Sequence, residues 1–147
     1  MDFKDDLLIK NTGYAFITWQ PVPPKEKSMK IAVTSKGTDL DSEVDPRFGR
    51  ASYILIVDSE TFEFEALDNK ANVNALKGAG IQAASMVSEK GAEVLLTGFC
   101  GPNAFKTLTA AKIAVANDAS GSVRDAVQAY LDGKLPLSDQ ANVEGHW

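Results

Sequence analysis

Short apolar runs alternate with polar or glycine-containing segments along most of the chain, from residue 29 onward. Such runs predict β-strands when they are apolar throughout or alternate apolar with polar positions. Five occur, at residues 29–34, 53–57, 62–67, 93–97 and 113–116. The second (YILIV) is continuously apolar, which is typical of a central strand. The third alternates Phe62, Phe64 and Ala66 with two glutamates, which predicts one solvated face.

Three further segments show the apolar spacing of helices. The first runs to about Lys90, and Gly91 predicts its end. The second begins at Pro102, because proline is favoured at the first helical position. The third follows Ser122, which with Asp125 resembles a capping box. The apolar stripes of the first and third are Leu76, Ala79, Ala83 and Val87, and Val123, Val127, Tyr130 and Leu131.

The order β-β-β-α-β-α-β-α predicts one α/β domain with a mixed five-stranded sheet and helices on both faces. Hairpin-type links make the second strand antiparallel to the first and third, and helical crossovers place the fourth and fifth parallel to the first. Four strands therefore finish at one edge of the sheet, which we call the carboxyl end. Its loops are residues 36–50, 69–77, 98–103 and 117–121, and ligands of open α/β sheets bind at such loops.

Residues 1–28 differ from the rest of the chain. Their apolar patches have no sustained period, and the proline-rich segment at residues 20–28 is typical of an extended linker. We predict that residues 1–28 are an N-terminal extension, either disordered or added upstream, and that residues 29–147 form the domain. The alternative is an arm that packs on a partner through Phe16 and Trp19.

Composition narrows the classes of function. The chain has 147 residues and a net charge of −5, which suits one domain and argues against binding of nucleic acid. Its single cysteine cannot form an internal disulfide, so a cytoplasmic location is expected. No apolar run approaches the roughly 18 residues of a membrane span, so no membrane partner is expected.

The loop at residues 36–50 contains an Arg-Phe-Gly-Arg segment. Arg47 and Arg50 are suited to hold an oxo- or thio-anion, because a guanidinium group donates several hydrogen bonds in a fork. Phe48 and Gly49 lie between them, which suggests an anion grip with an aromatic wall. The alternative is that both arginines pair with the carboxylates of the same loop. These carboxylates belong to Asp39, Asp41, Glu43 and Asp45, whose spacing matches no calcium loop.

Gly78 and Gly80 lie at the start of the first predicted helix. A glycine in a helix interior costs about 1 kcal/mol relative to alanine, so the pair invites a reason. One reason is a helix N-terminus whose N–H groups face a ligand. The alternative is close packing of the helix against the sheet, or a mobile loop. A dinucleotide fingerprint is excluded, because Ala83 stands where the third glycine is needed.

The segment at residues 97–109 (TGFCGPNAFKTLT) carries the most information, because it joins a buried strand to a helix through two glycines. Gly98 and Gly101 allow a sharp turn and a close approach to a ligand. The helix that begins at Pro102, with Asn103 next, presents N–H groups at its start. This corner is therefore a candidate seat for an anionic or thiophilic ligand.

Cys100 lies inside this corner and is a candidate metal ligand, because thiolate suits copper and iron–sulfur centres. The alternative is a small buried hydrophobe. His146, in the polar tail, is either a further ligand or a bystander. With one histidine the chain cannot build a Ser-His-Asp triad, and it has neither a Walker A segment nor an HExxH motif.

Four segments together resemble the dinitrogenase iron–molybdenum cofactor biosynthesis family. They are DPRFGRA at residues 45–51, GAG at 78–80, GFCGPNA at 98–104 and NVEGHW at 142–147. The combination of RFGRA and GPNA at this separation is specific, and the resemblance covers residues 29–147. It implies a ribonuclease-H-like three-layer fold, which agrees with the strand order predicted above.

The resemblance also implies a binding, carrier or assembly protein for an anionic metal–sulfur cluster, and not an enzyme. In the nitrogenase accessory proteins of this family the cluster is iron–molybdenum cofactor or its precursor; in the orange proteins it is a molybdenum–copper sulfide. Proteins that donate or accept the cluster are the implied partners. The core loops here lack the histidines that many relatives use, which favours the orange-protein branch or an uncharacterised paralogue over a carrier of the nitrogenase cofactor itself.

On this expectation the site residues have two roles. The side chains of Arg47 and Arg50 and the N–H groups of Gly80 and Gly101 stabilise the charge of the cluster, while phenylalanines cover its sulfur surface. Cluster binding of this kind needs few covalent ligands. The predicted site residues are Arg47, Phe48, Gly49, Arg50, Gly78, Gly80, Phe99, Cys100, Gly101 and Asn103.

Two other functions are known to occur or are conceivable on a fold of this kind. A ribonuclease-H-like nuclease needs a metal-binding carboxylate inside the first strand, and residues 31–34 (IAVT) have none. A metal-free regulatory or protein-interaction module of the same fold, which uses the same loops, remains the alternative.

Overall fold

The computed structural model describes residues 28–73 and 78–138. The predictions for the N-terminal extension, including Phe16 and Trp19, and those for Leu76 and His146 lie outside the described residues. Within the described ranges, no helix has the length and apolar character needed to cross a membrane.

The elements follow the predicted order, with one additional short helix. The strands are β1 (Lys30–Ser35), β2 (Tyr53–Asp58), β3 (Phe64–Asp68), β4 (Val94–Leu96) and β5 (Ala114–Ala116). The helices are α1 (Lys70–Val73), α2 (Ala79–Glu89), α3 (Pro102–Ala110) and α4 (Val123–Leu131). The sequence did not predict α1, which lies in the segment at residues 69–77 that was expected to be a loop.

The strands form one sheet in the order β3-β2-β1-β4-β5. Strand β2 is antiparallel to β1 and β3, whereas β4 is parallel to β1 and β5. Ile31 in the central strand opposes Val57 on one side and Val94 on the other. The predicted mixed five-stranded sheet is confirmed, and its order is compatible with a ribonuclease-H-like fold.

Each face of the sheet has its own hydrophobic core. On one face, Ala32 of β1 packs in a buried cluster with residues of α2 and α3, such as Val87 and Leu108. On the other face, Val33 belongs to a buried cluster that includes Val127 of α4. This arrangement confirms the prediction of helices on both faces, and it follows from the alternation of side chains along a strand.

The third strand differs from its prediction. It begins at Phe64 because Phe62 has a φ of 60°, a left-handed conformation that belongs to a turn. The side chain of Phe64 is 41% exposed and Ala66 is also exposed, so the expected dry face is wrong. The reason is that β3 lies at the edge of the sheet, where Phe64 and Ala66 belong to neither of the two hydrophobic cores.

Helix α4 confirms its predicted cap and corrects its predicted stripe. The Ser122 hydroxyl accepts a hydrogen bond of 3.0 Å from the Asp125 N–H, as a capping serine does. Val123 and Val127 are buried, but Leu131 is 41% exposed at the last position of the helix. The assignment of Leu131 to the core was therefore wrong.

The loop at residues 36–50 carries many charged residues, but it is anchored by buried apolar side chains. Leu40 and Val44 belong to the core on the α4 face, and Phe48 belongs to the core on the α2 and α3 face. The loop thus crosses the carboxyl end of the sheet and is fixed to both cores.

Candidate functional site

Backbone hydrogen bonds join three of the predicted loops at the carboxyl end. Phe48 N–H donates to the Phe99 carbonyl at 3.1 Å, and Phe99 N–H donates to the Pro46 carbonyl at 2.6 Å. Asp118 N–H donates to the Gly98 carbonyl at 3.1 Å. A Cβ on Gly98 would lie 2.8 Å from the Cα of Pro46. Gly98 therefore permits a close approach, as predicted, but the approaching group is another loop.

A buried pair of threonines helps to hold these loops together. The Thr34 hydroxyl donates to the Asp45 carbonyl at 2.6 Å and lies 2.9 Å from the Thr97 hydroxyl. Both threonines are fully buried at the ends of neighbouring strands. The Asp45 carboxylate in turn accepts from the Arg47 N–H at 3.1 Å. The backbone beside Arg47 is thus tied to β1 and β4.

Three backbone segments meet at Gly80. A Cβ on Gly80 would lie 2.8 Å from the Cβ of Ala104 in α3. A Cβ on Gly49, whose φ is 93°, would lie 3.0 Å from the Gly80 nitrogen. Glycine at both positions therefore lets the 36–50 loop and α3 approach the first turn of α2. Gly80 thus permits close packing, but against α3 and the 36–50 loop and not against the sheet.

Helices α2 and α3 begin next to this contact, and both have glycine as the N-cap. Gly78 has a φ of 82°, and Gly101 is extended. The helical hydrogen bonds start with Gln82 N–H to the Gly78 carbonyl and Phe105 N–H to the Gly101 carbonyl, each 2.9 Å. The N–H groups before these residues have no intrahelical partner. Two positive dipole ends therefore lie side by side at the carboxyl end.

The two arginines have different surroundings. Arg47 is exposed, and its guanidinium forms no hydrogen bond or ion pair within residues 28–73 and 78–138. Arg50 is half-buried, and its Nη1 donates to the Val73 carbonyl at 2.9 Å and to the Asn72 carbonyl at 3.4 Å. Arg47 is thus accessible from solvent, whereas Arg50 holds the backbone of α1.

The carboxylates of the 36–50 loop have other partners. Glu43 pairs with Lys36 at 3.3 Å, and Asp41 pairs with Arg124 at 3.3 Å. Asp39 accepts hydrogen bonds from the Asp41 N–H and the Ser42 hydroxyl. These contacts weigh against the alternative in which the acidic residues serve to neutralise Arg47.

Cys100 and Phe48 lie in the core on the α2 and α3 face. Cys100 is fully buried, and this burial raises the pKa of its thiol from 9.0 to about 12. The thiolate that a metal requires is therefore strongly disfavoured at neutral pH. Phe48 is likewise covered, so it supports the loop from inside and does not face solvent. Both surroundings match the structural alternatives better than direct contact with a ligand.

The remaining predicted residues lie around the start of α3. Phe99 is 38% exposed, Asn103 is exposed and Gly101 is buried. Across the described part of the chain, no group of three or more His, Cys, Asp or Glu side chains could hold a metal ion. The N–H groups at the two helix starts and the exposed side chains of Arg47 and Asn103 are donors that the described residues place at this end.

Three buried asparagines at the carboxyl end were missed by the sequence analysis. Asn69 and Asn72 are 1% and 5% exposed and lie between β3, the 36–50 loop and α2. Asn117 donates to the Ser138 hydroxyl at 2.9 Å, while its Oδ1 has no partner within the described residues. The sequence did contain a signal for them, because Asn69 and Asn117 follow predicted strands and Asn72 lies about one turn further along the chain.

A cleft of about 510 Å³ lies at the opposite end of the sheet. Lys30, Asp58, Glu60, Lys90 and Glu93 contribute to its lining. Hydrogen bonds from the Thr61 and Glu60 N–H groups and from Ser28 lower the pKa of Asp58. None of the predicted site residues lines this cleft.

A mixed sheet with two helix N-termini and an arginine at the carboxyl end is typical of α/β domains that bind anions outside their strands. The sequence model of the dinitrogenase iron–molybdenum cofactor family matches residues 29–133. The chain therefore belongs to this family, and the resemblance noted in the sequence is confirmed.

Relatives of known structure share the fold. The apo form of the orange protein from Desulfovibrio gigas is 47% identical with a TM-score of 0.76, over 78% of this chain and 97% of that one. A NifB-like protein of the DUF35 family from Thermotoga is 34% identical with a TM-score of 0.69, over 80% and 99%. An uncharacterized protein of Methanocaldococcus jannaschii is 30% identical over 114 residues, which is 76% of this chain and 92% of its own length.

Proposed function

We propose that this chain is a carrier or assembly protein for an anionic metal–sulfur cluster, held at the carboxyl end of the sheet. The observation that carries the proposal is the meeting of two glycine-capped helix N-termini at Gly80, with the exposed Arg47 on the loop that packs against them. Helix N-termini and guanidinium groups both favour anions. Membership of the family named for the iron–molybdenum cofactor supports the same ligand class.

The contacts available suit a bulky anion with a soft surface. The N–H groups at the starts of α2 and α3 and the side chains of Arg47 and Asn103 donate hydrogen bonds to such a cargo. Phe99, 38% exposed, offers apolar contact to its sulfur atoms. Phe48 and Cys100 support the site from the core, so the proposed binding does not use the thiol. These contacts hold a cargo without covalent bonds, which suits a protein that takes up and releases a cluster.

The first cargo to test is a molybdenum–copper sulfide. The orange protein from Desulfovibrio gigas shares 47% of its residues over nearly its whole length, and the sequence resemblance links the orange proteins to that cluster. Iron–molybdenum cofactor or its precursor is the second cargo. The proteins that donate and accept the cluster are the proposed partners, and a cytoplasmic location is expected for this exchange.

An anaerobic titration of the full chain with tetrathiomolybdate, with and without copper, tests the proposal. After desalting, we expect a charge-transfer band in the visible spectrum and stoichiometric metal in the protein fraction. A band that needs copper points to the molybdenum–copper sulfide. If neither this cluster nor an iron–molybdenum precursor is retained, the result favours the metal-free regulatory or interaction module.

A further inference from the structure

The Arg50 side chain binds the backbone of α1. Its Nη1 donates to the Val73 carbonyl oxygen at 2.9 Å and to that of Asn72 at 3.4 Å. Arg50 therefore ties the segment at residues 69–73 to its own loop.

Asn69 makes the reverse connection. Its Nδ2 donates to the Ala51 carbonyl at 2.8 Å and to the Gly49 carbonyl at 3.3 Å. These carbonyls belong to the residues on either side of Arg50. Each side chain thus holds the backbone that carries the other, and we refer to Arg50 and Asn69 as the clamp.

The clamp also reaches α2. The Asn69 Oδ1 accepts from the Asn72 Nδ2 at 2.7 Å, and this Nδ2 lies 3.9 Å from the Met86 sulfur. Asn69 N–H donates to the Ser52 carbonyl at 2.9 Å. The three side chains of Arg50, Asn69 and Asn72 are buried or half-buried. This network is therefore part of the folded frame and not a surface contact.

The clamp fixes the geometry of the proposed cluster site through Gly49. The Gly49 carbonyl accepts a hydrogen bond from Asn69. The Cα of Gly49 packs against the first turn of α2, since a Cβ on Gly49 would lie 3.0 Å from the Gly80 nitrogen. The exposed Arg47 lies two residues before Gly49. The position of Gly49 thus sets the distance between the backbone of Arg47 and the start of α2. Hydrogen-bond donors stabilise a charged ligand most when the fold holds them in place before the ligand binds.

We infer that Arg50 and Asn69 are positioning residues of the cluster site, and that Arg47 is the arginine that contacts the cargo. The inference rests on the proposed function. The two arginines of the RFGR segment then have different roles. Arg50 would have to give up its hydrogen bonds to two carbonyls of α1 in order to bind an anion. Asn69 is uncharged and 1% exposed, so it can act only through the loops it joins.

Charge-preserving variants separate positioning from direct contact. We measure retention of the cluster formed from tetrathiomolybdate and copper by the full chain and by Arg50→Lys, Asn69→Ala and the double variant. Each single variant keeps the net charge and should weaken binding about tenfold or more, as is usual when the partners that orient a ligand group are removed. The double variant should be little weaker than either single one, because the two residues act as one unit.

A second measurement needs no cargo. Amide exchange by NMR should be faster at the Asn69 and Asn72 N–H groups in Arg50→Lys and Asn69→Ala, and unchanged in Arg47→Gln. Both amides have backbone acceptors in the native chain, Ser52 and Asn69. If Asn69→Ala does not fold, Arg50→Lys and Arg50→Gln carry both measurements.

The outcomes separate the inference from the function. Wild-type binding together with wild-type affinity in Arg50→Lys and Asn69→Ala overturns the inference and leaves the proposed function standing. Full rescue by Arg50→Lys of a defect in Arg50→Gln also overturns it, because charge alone would then suffice. Absence of cluster retention by the wild-type chain, with the exchange changes still present, overturns the proposed function, and the positioning role falls with it.

Discussion

Gly80 in α2 and Ala104 in α3 are so close that a Cβ on Gly80 would lie 2.8 Å from the Cβ of Ala104. Two helices can approach to this degree only where one of them lacks a side chain. The contact occurs in the first turn of each helix, so it keeps the two N-termini together. The same pair of residues therefore determines both helix packing and the spacing of N–H groups at the carboxyl end.

Gly80→Ala should destabilise the chain, although alanine favours helix by about 1 kcal/mol. We expect a loss of about 1–3 kcal/mol in the free energy of unfolding, typical of overpacking, measured by urea denaturation. The double variant Gly80→Ala/Ala104→Gly exchanges the two side chains and should recover part of this loss. Equal instability of the single and double variants would show that the contact with Ala104 is not the cause.

Arg47→Gln should weaken retention of the tetrathiomolybdate-derived cluster by about tenfold or more, since a hydrogen bond to a charged group contributes about 1.5–3 kcal/mol. The measurement is metal content after desalting, over a series of cluster concentrations. Arg124→Gln is the matched control, because it removes the same charge from an exposed arginine paired with Asp41. Equal losses of cluster retention in both variants would show that the effect comes from net charge and not from a contact of Arg47.

Cys100→Ala should leave the visible spectrum of the retained cluster unchanged. The thiol is fully buried and its pKa is raised to about 12, so it offers no thiolate to a metal at neutral pH. The check is a comparison of charge-transfer bands of the variant and the wild-type chain under identical loading. A shift or loss of the band, with the fold intact by circular dichroism, would establish Cys100 as a ligand.

The same burial predicts a pH dependence of stability. In the unfolded chain the thiol ionises near its ordinary pKa of 9.0, whereas in the folded chain its pKa is about 12. The unfolded state therefore loses a proton first, and the free energy of unfolding falls as pH rises from about 9 toward 12. From pH 8 to pH 10, wild type should lose about 1 kcal/mol more than Cys100→Ala in urea denaturation. Parallel losses in the two proteins would show that Cys100 is not the source.

The sheet was predictable because its signals are local. Continuous apolar runs mark β2 and β4, and short or helical connections decide which strands run parallel. The exposure of Phe64 in β3 and of Leu131 was not predictable from local signals. Phe64 has the pattern of a half-buried strand, but its exposure depends on its place at the edge of the sheet. Position in the sheet order is a property of the whole fold.

The candidate site was predictable in its location but only partly in its residue roles. Strand order brings the loops of Arg47, Gly80 and Gly101 to one end, as expected. The sequence treated Arg47 and Arg50 as equivalent because both belong to one RFGR segment. Their difference arises from α1, a helix that the sequence analysis did not predict, whose carbonyls accept from Arg50.

The burial of Cys100 bears on how a metal–sulfur cargo would be released. Thiolates are strong ligands of copper and iron–sulfur centres, so a reactive thiol at the site would bind the metals of such a cargo covalently. The only cysteine of this chain is fully buried, and its pKa is raised to about 12, so it stays a neutral thiol at neutral pH. A cargo held at the proposed site would then pass to an accepting protein without the exchange of a protein thiolate ligand.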